Sequence, residues 1–209
     1  STPAWLDASK VVLTERGDAA GVGWARAYQL CLWARALDGN KAHEILGAFI
    51  NEHMADNLWD LYDAKYNRGF QIEANFGATA GISEMLLQSS AEGYIEPLAA
   101  LPDAWHTGSY TGLVARGNFE VSAARENGLA KSFNILSKVG GKAYVKYPSI
   151  TSAVVRDETG KAINFTVEDN NVISFDTEAG KTYVIYGFKA QNKINDPANF
   201  TYTREDFNE

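Results

Sequence analysis

The sequence predicts an α+β chain: helices first, then an antiparallel β-sandwich. Three observations carry this. From residue 3 to about 91, apolar side chains recur every three or four positions, the spacing of helices with one face in a core. After Pro102 the period falls toward two, in short runs rich in Val, Ile, Tyr and Phe. Between those runs stand Asp, Asn and Gly clusters of the kind that reverse a chain. Helices and strands segregated along a chain imply separate packed units rather than alternating βαβ. The expected division is 1–92 helical, 93–118 connecting, and 119–209 sandwich.

In the helical part, Trp24 to Leu37 carries Trp24, Tyr28, Cys31 and Leu32 at helical spacing, a stripe expected to face a core. Asp38-Gly39-Asn40 reads as its end, with glycine taking the left-handed conformation. A further helix is expected from about Lys41 to His53, with Ala42, Ile45, Leu46, Phe49 and Ile50 on one side. Asn57 to Tyr62 reads as a short helical turn. Ala78 to Ser90 reads as a last helix with Ile82, Met85 and Leu86 inward, and Gly77 and Gly81 near its start signal close packing or a tight entry. Some four such helices, with Trp5, Trp24, Trp33 and Trp59 among them, carry more apolar surface than so short a stretch readily covers. Either they close a small bundle or they pack on helices outside this sequence.

The β part reads as six to eight strands. Tyr144–Tyr147, Ala153–Arg156, Val172–Phe175 and Tyr183–Tyr186 are the clearest runs. Asp157 to Gly160, Glu168 to Asn171 and Glu178 to Gly180 have hairpin-turn chemistry. The polar tail from Ala190 to Glu209 is expected to wrap the surface or fray.

Composition excludes several classes. The 209 residues are 45% apolar and 22% charged, an ordinary globular balance rather than a disordered one. The net charge of −7 repels phosphate backbones and argues against a nucleic-acid partner. A single cysteine, Cys31, permits no intrachain disulfide, and its apolar surroundings read as a buried thiol. No apolar run reaches the roughly 18 residues of a membrane span. The sequence opens on Ser1 without a signal peptide, so the compartment is not readable from it.

One stretch stands out chemically. In Phe70-Gln71-Ile72-Glu73-Ala74-Asn75-Phe76-Gly77, three polar groups alternate with large apolar ones. On an extended segment, Gln71, Glu73 and Asn75 would project together, a carboxylate and two amides suited to sugar hydroxyls in a cleft. A solvated edge strand would show the same alternation. Asn75 could equally cap the helix that follows.

This stretch, with Thr79 to Ser89 after it, resembles the signature of glycoside hydrolase family 95, inverting α-L-fucosidases with some members acting on α-L-galactosides. The resemblance continues upstream through Arg16-Gly17-Asp18, Gly23-Trp24 and Leu32-Trp33-Ala34-Arg35-Ala36-Leu37-Asp38-Gly39. Downstream it takes in Leu98 to Trp105 and Gly108 to Val121, so that motifs from about 3 to 140 fall in the right order. It implies that the helices are the last ones of an (α/α)6 catalytic barrel and that the sandwich is the C-terminal β domain.

The resemblance also implies a mechanism. Inversion needs an acid for the leaving oxygen and a base for water on opposite faces of the sugar. In the family an aspartate in a Gln-Ile-Asp-Xaa-Asn-Phe-Gly motif polarises an asparagine that orients the water, and a glutamate upstream is the acid. Glu73 takes that aspartate's position here, while Asn75, Gln71 and Trp24 are the substrate-binding candidates. The relay asparagines and the acid would precede Ser1. Glu73 departs from the motif by one methylene, which moves the carboxylate and leaves three outcomes: a preserved relay, an altered substrate range, or weakened activity. Ala25, Tyr28 and Gln29 stand where the family usually has Ser, Trp and Lys.

Other candidates point to structure. His43, His53 and His106 show no metal-ligand spacing, and no metal or other cofactor is expected. Ser83 and Ser109 lack a nucleophile-elbow context, and Gly17 and Gly21-Val22-Gly23 follow no strand. Glu84 could face the cleft, though a capping or surface salt-bridge role is the commoner one for such a residue, and Glu120, in a β run, reads as solvent-facing. The expected function is that of an α-L-fucosidase acting on a fucosylated glycan in the periplasm or outside the cell, this segment being inactive by itself. The expected partner is the N-terminal part of the same enzyme, with neither nucleic acid nor membrane involved. The rival readings are another (α/α)6 glycosidase, such as an α-L-galactosidase, or a carbohydrate-binding or assembly module that self-associates through exposed helical faces.

Overall fold

The computed structural model describes residues 3–18, 22–63, 68–89, 93–169 and 171–189. The expected tail, 190–209, lies outside them, as do Gly21 and Asn170 of the motifs above. Four helices come first: α1 (Pro3–Arg16), α2 (Gly23–Arg35), α3 (Gly39–His53) and α4 (Ile72–Leu86). A short antiparallel ribbon, β1 (Leu61–Asp63) with β2 (Arg68–Phe70), sits between α3 and α4.

α2 is the centre of the helical part, and glycines set how closely α4 approaches it. A Cβ on Gly77 would stand 3.0 Å from the Ala27 Cβ, and one on Gly81 would stand 2.5 Å from Leu30 Cγ. The Cys31 thiol donates to the Gly77 carbonyl at 3.2 Å and is only half-buried. Ala27, Leu30, Trp33, Ile45, Phe49, Ala74 and Met85 form the helical core, with Leu6 and Leu13 of α1 against it.

Several expectations are corrected here. The buried face of α2 runs through Ala27, Leu30, Trp33 and Ala34, whereas Trp24 and Tyr28 are half-exposed. Cys31 of that stripe faces Gly77 on α4 while Trp24 and Tyr28 open outward, so the periodicity was right but only part of the stripe meets the described helices. Ile50 likewise faces out of α3. Asp38 does not end α2 but caps α3, accepting from the Lys41 N–H at 3.0 Å. It is Leu37 that takes the positive φ. Gly39 is helical, and it is small because a Cβ there would lie 2.5 Å from the Ala100 carbonyl oxygen. Asn57 to Tyr62 forms a turn leading into β1, not a helix. α4 begins at Ile72 and ends at Leu86, where the chain passes directly into β3.

Ten strands build the sandwich: β3 (Leu87–Ser89), β4 (Tyr94–Pro97), β5 (Gly108–Ala115), β6 (Phe119–Glu126), β7 (Leu129–Ser137), β8 (Gly141–Lys146), β9 (Val154–Asp157), β10 (Thr166–Asp169), β11 (Val172–Thr177) and β12 (Lys181–Tyr186). One sheet has the order β10-β11-β8-β4-β3 and the other β5-β6-β7-β12-β9. All pairings are antiparallel except β4 with β8. Phe119, Val121 and Ala123 alternate inward along β6, the period-two burial of a sheet with one face in a core. Phe133, Ile135, Val145, Ile173 and Ile185 complete that core. The Asp157 turn forms as expected, its Oδ1 accepting from the Thr159 and Lys161 N–H groups. Glu178 to Gly180 is a correction: it closes no hairpin, because β11 and β12 belong to different sheets.

The two parts are tied together at one seam. The Leu98 and Ala100 N–H groups donate to the carbonyls of Leu86 and Met85. Asn40 and Asp103 exchange two hydrogen bonds of 2.9 Å. Buried Gln88 donates to the Ala34 carbonyl at 2.7 Å, and Trp105 packs against both cores.

Candidate active site

The helix start at Ile72 rearranges the polar triplet. Gln71 occupies the N-cap position with extended backbone, and its side chain caps nothing on α4. Its Oε1 instead accepts from the Trp24 N–H, at 3.4 Å, on the first turn of α2. Glu73 stands exposed in the first turn of α4, where the helix dipole favours a carboxylate. Asn75 is one turn further in and is no cap. Its Nδ2 donates to the Leu58 carbonyl at 2.8 Å, and its Oδ1 accepts from the Asp60 N–H at 2.9 Å. Helical periodicity turns Glu73 about 160° from Asn75, so the two amides clamp neighbouring backbone while the carboxylate is free of them.

The structure thus brings Gln71, Asn75 and Trp24 together around the 58–60 loop, with Glu73 at the rim. Large apolar groups surround the cluster. The Trp59 and Phe70 rings lie 4.9 Å apart, and Trp24 (46% exposed), Ile72 and Phe76 (66% exposed) open outward.

Asp60 was missed. It is completely buried, and neither carboxylate oxygen has a hydrogen-bond partner among the described residues. A Cβ at Gly23 would overlap this carboxyl, so glycine there makes its seat. Burial, and secondly the negative charge of Glu73, push Asp60 up to about 6. A lone acid between Trp59 and Leu61 was the available signal: an acidic residue inside an apolar run has been taken into the interior or aimed at something.

The remaining candidates fall elsewhere. His43 lies edge-on to Trp105 at 5.7 Å, and buried His53 stacks on Phe49. No group of three His, Cys, Asp or Glu is gathered for a metal among the described residues. Glu84 pairs with Arg35 at 3.0 Å and Glu120 with Lys138 at 2.9 Å. A separate cavity of about 160 Å³ lies at the seam, lined by Leu86, Trp105, Tyr110 and Arg125 among others, and holds none of the site residues.

An exposed carboxylate at a helix start, beside half-exposed aromatic surface and next to two amides that hold the neighbouring backbone, suits recognition of a polyol such as a sugar. Comparison with known proteins gives the family. Residues 1–86 match the glycosyl hydrolase family 95 catalytic domain, and residues 88–185 match the glycoside hydrolase family 95 C-terminal domain. The chain belongs to glycoside hydrolase family 95, and the division between the two domains falls where α4 becomes β3. It is 32% identical over 165 residues to the Arabidopsis thaliana protein named alpha-L-fucosidase 2, a match covering 73% of this chain and 19% of that one. It is 31% identical over 129 residues to the Aspergillus niger protein named probable alpha-fucosidase A, covering 56% of this chain and 16% of that one. The matched stretch thus spans less than a fifth of either relative.

Proposed function

We propose that this chain is the end of the catalytic domain and the C-terminal domain of an inverting α-L-fucosidase that removes terminal α-L-fucosyl groups from glycans. The observation that carries the reading is the gathering of Gln71, Asn75 and Trp24 around the 58–60 loop, with Glu73 beside them, within the stretch that matches the catalytic domain. Both relatives named above bear fucosidase names. In this reading Glu73 polarises an asparagine that orders the attacking water, and Trp24 offers its half-exposed ring to the sugar. The acid and the relay asparagines come from an N-terminal part of the same enzyme, whose helices complete an (α/α)6 barrel by packing on Trp24, Tyr28, Ile72 and Phe76. The enzyme works in the periplasm or outside the cell.

The test is fucose release from a fucosylated oligosaccharide. The 209-residue chain should release none. The full-length enzyme should release it with inversion, and Glu73→Gln should cost it about 10²-fold or more in kcat. Turnover by the chain alone, or a Glu73→Gln enzyme as fast as its parent, overturns the reading. The same exposed apolar face would also serve self-association, which a concentration-dependent sedimentation coefficient would reveal.

A further inference from the structure

We propose that Asp60 is a positioning residue of this site, a buried second carboxyl that holds the cluster in register and sets the electrostatic environment of Glu73. The inference rests on the reading of Glu73 given above, but its geometry does not. Asp60 touches the cluster from three sides. Its N–H donates to Asn75 Oδ1, its carbonyl accepts from the Gln71 N–H at 3.3 Å, and its side chain fills the space that glycine leaves at position 23, next to Trp24.

A wholly buried carboxyl without a hydrogen-bond partner is costly to keep. The charged and titratable groups on the elements around it include Glu73 on α4, Arg26 on α2, and Glu52 and His53 on α3. Arg26 is engaged with Glu52 at 3.0 Å, and Glu52 lies 3.9 Å from His53. Glu73 is the one whose charge acts on Asp60. The two carboxyls are therefore close enough for their charges to interact.

Two measurements decide this, and they separate the proposal from the fucosidase reading. The first is a carboxyl-carbon NMR titration of the 209-residue chain and its variants, which needs no activity. Asp60 should titrate near 6, and its midpoint should fall by about half a unit or more in Glu73→Gln. An Asp60 titrating with the ordinary carboxylates, or indifferent to Glu73→Gln, overturns the proposal. The second is the pH profile of kcat/KM in the full-length enzyme. Asp60→Asn should remove the ionisation near 6 from the acid limb and lower kcat about tenfold with KM changed less than about twofold. A loss of rate with an unmoved profile means a merely structural role and also overturns it. An inactive full-length parent would refute the fucosidase reading, and the titration alone would then decide the proposal.

Discussion

Gln88, the second residue of β3, donates from Nε2 to the Ala34 carbonyl near the end of α2 at 2.7 Å, and the pair is buried. It is a side-chain bond that reaches from the first sheet of the sandwich into the helical core. Replacing Gln88 with Ala would leave the Ala34 carbonyl without that donor, at a cost of about 1–3 kcal/mol. Chemical denaturation followed by tryptophan fluorescence should show the loss, since Trp33 and Trp105 both lie near the seam.

The glycines of the helices divide into two kinds. Gly81→Ala pushes a methyl into Leu30 and should destabilise the chain by about 1–3 kcal/mol. Gly47, in the middle of α3, has open space where its Cβ would be, so Gly47→Ala should stabilise by about 0.5–1 kcal/mol. Opposite shifts in urea midpoint would bear this out, and a stabilising Gly81→Ala would refute the close-packing account.

Asp60 makes stability depend on pH. Its folded value near 6 exceeds the ordinary 3.8, so the native state binds this proton more tightly than the unfolded chain does. The contribution is complete below about 4 and is lost as pH rises through about 6, up to about 3 kcal/mol in all. Asp60→Asn should remove this slope. Denaturation of the two chains at pH 4.5 and pH 7 would check it, an unchanged slope counting against a buried proton.

Gly23 and Asp60 should behave as one unit. Gly23→Ala by itself forces the carboxyl from its seat, whereas in an Asp60→Ala background the new methyl finds room. The double-mutant cycle should therefore give a coupling of about 1 kcal/mol or more, read from thermal or urea unfolding.

Tyr110 presents a hydroxyl that is buried beside the seam cavity with no partner among the described residues, and burial raises its pKa. Tyr110→Phe should be neutral or stabilising by up to about 1 kcal/mol, because no hydrogen bond is lost. A marked destabilisation would mean that the hydroxyl is satisfied by ordered water in the cavity.

Much of this was readable in the sequence, for reasons that differ by element. Val172–Phe175 and Tyr183–Tyr186 announced themselves because β-branched and aromatic residues have few other uses in such short runs. β5 to β7 were harder, since Gly108 to Thr111 and Ser122 to Arg125 are built of small and polar residues that pack only because the opposite sheet covers them. The stripe Trp24, Tyr28, Cys31, Leu32 had true helical spacing, but period gives a face and not its partner. The polar triplet from Gln71 to Asn75 had the alternation of a strand, and the helix beginning at Ile72 overrode it. Asp60 was hidden because its meaning lies in Gly23, thirty-seven positions away and joined to it only by the fold.

α4 passes into β3 without an intervening loop. Fifteen residues at 1.5 Å each make a rod about 22 Å long. Glu73 rides at one tip, and the other tip is set in the sandwich by Gln88 and by the bonds from Leu98 and Ala100. The sandwich is therefore a mount rather than an appendage. Any tilt of its edge would be levered straight to the carboxylate, so a cut made at the join to obtain a tidy catalytic half would release the very end that keeps the other one still.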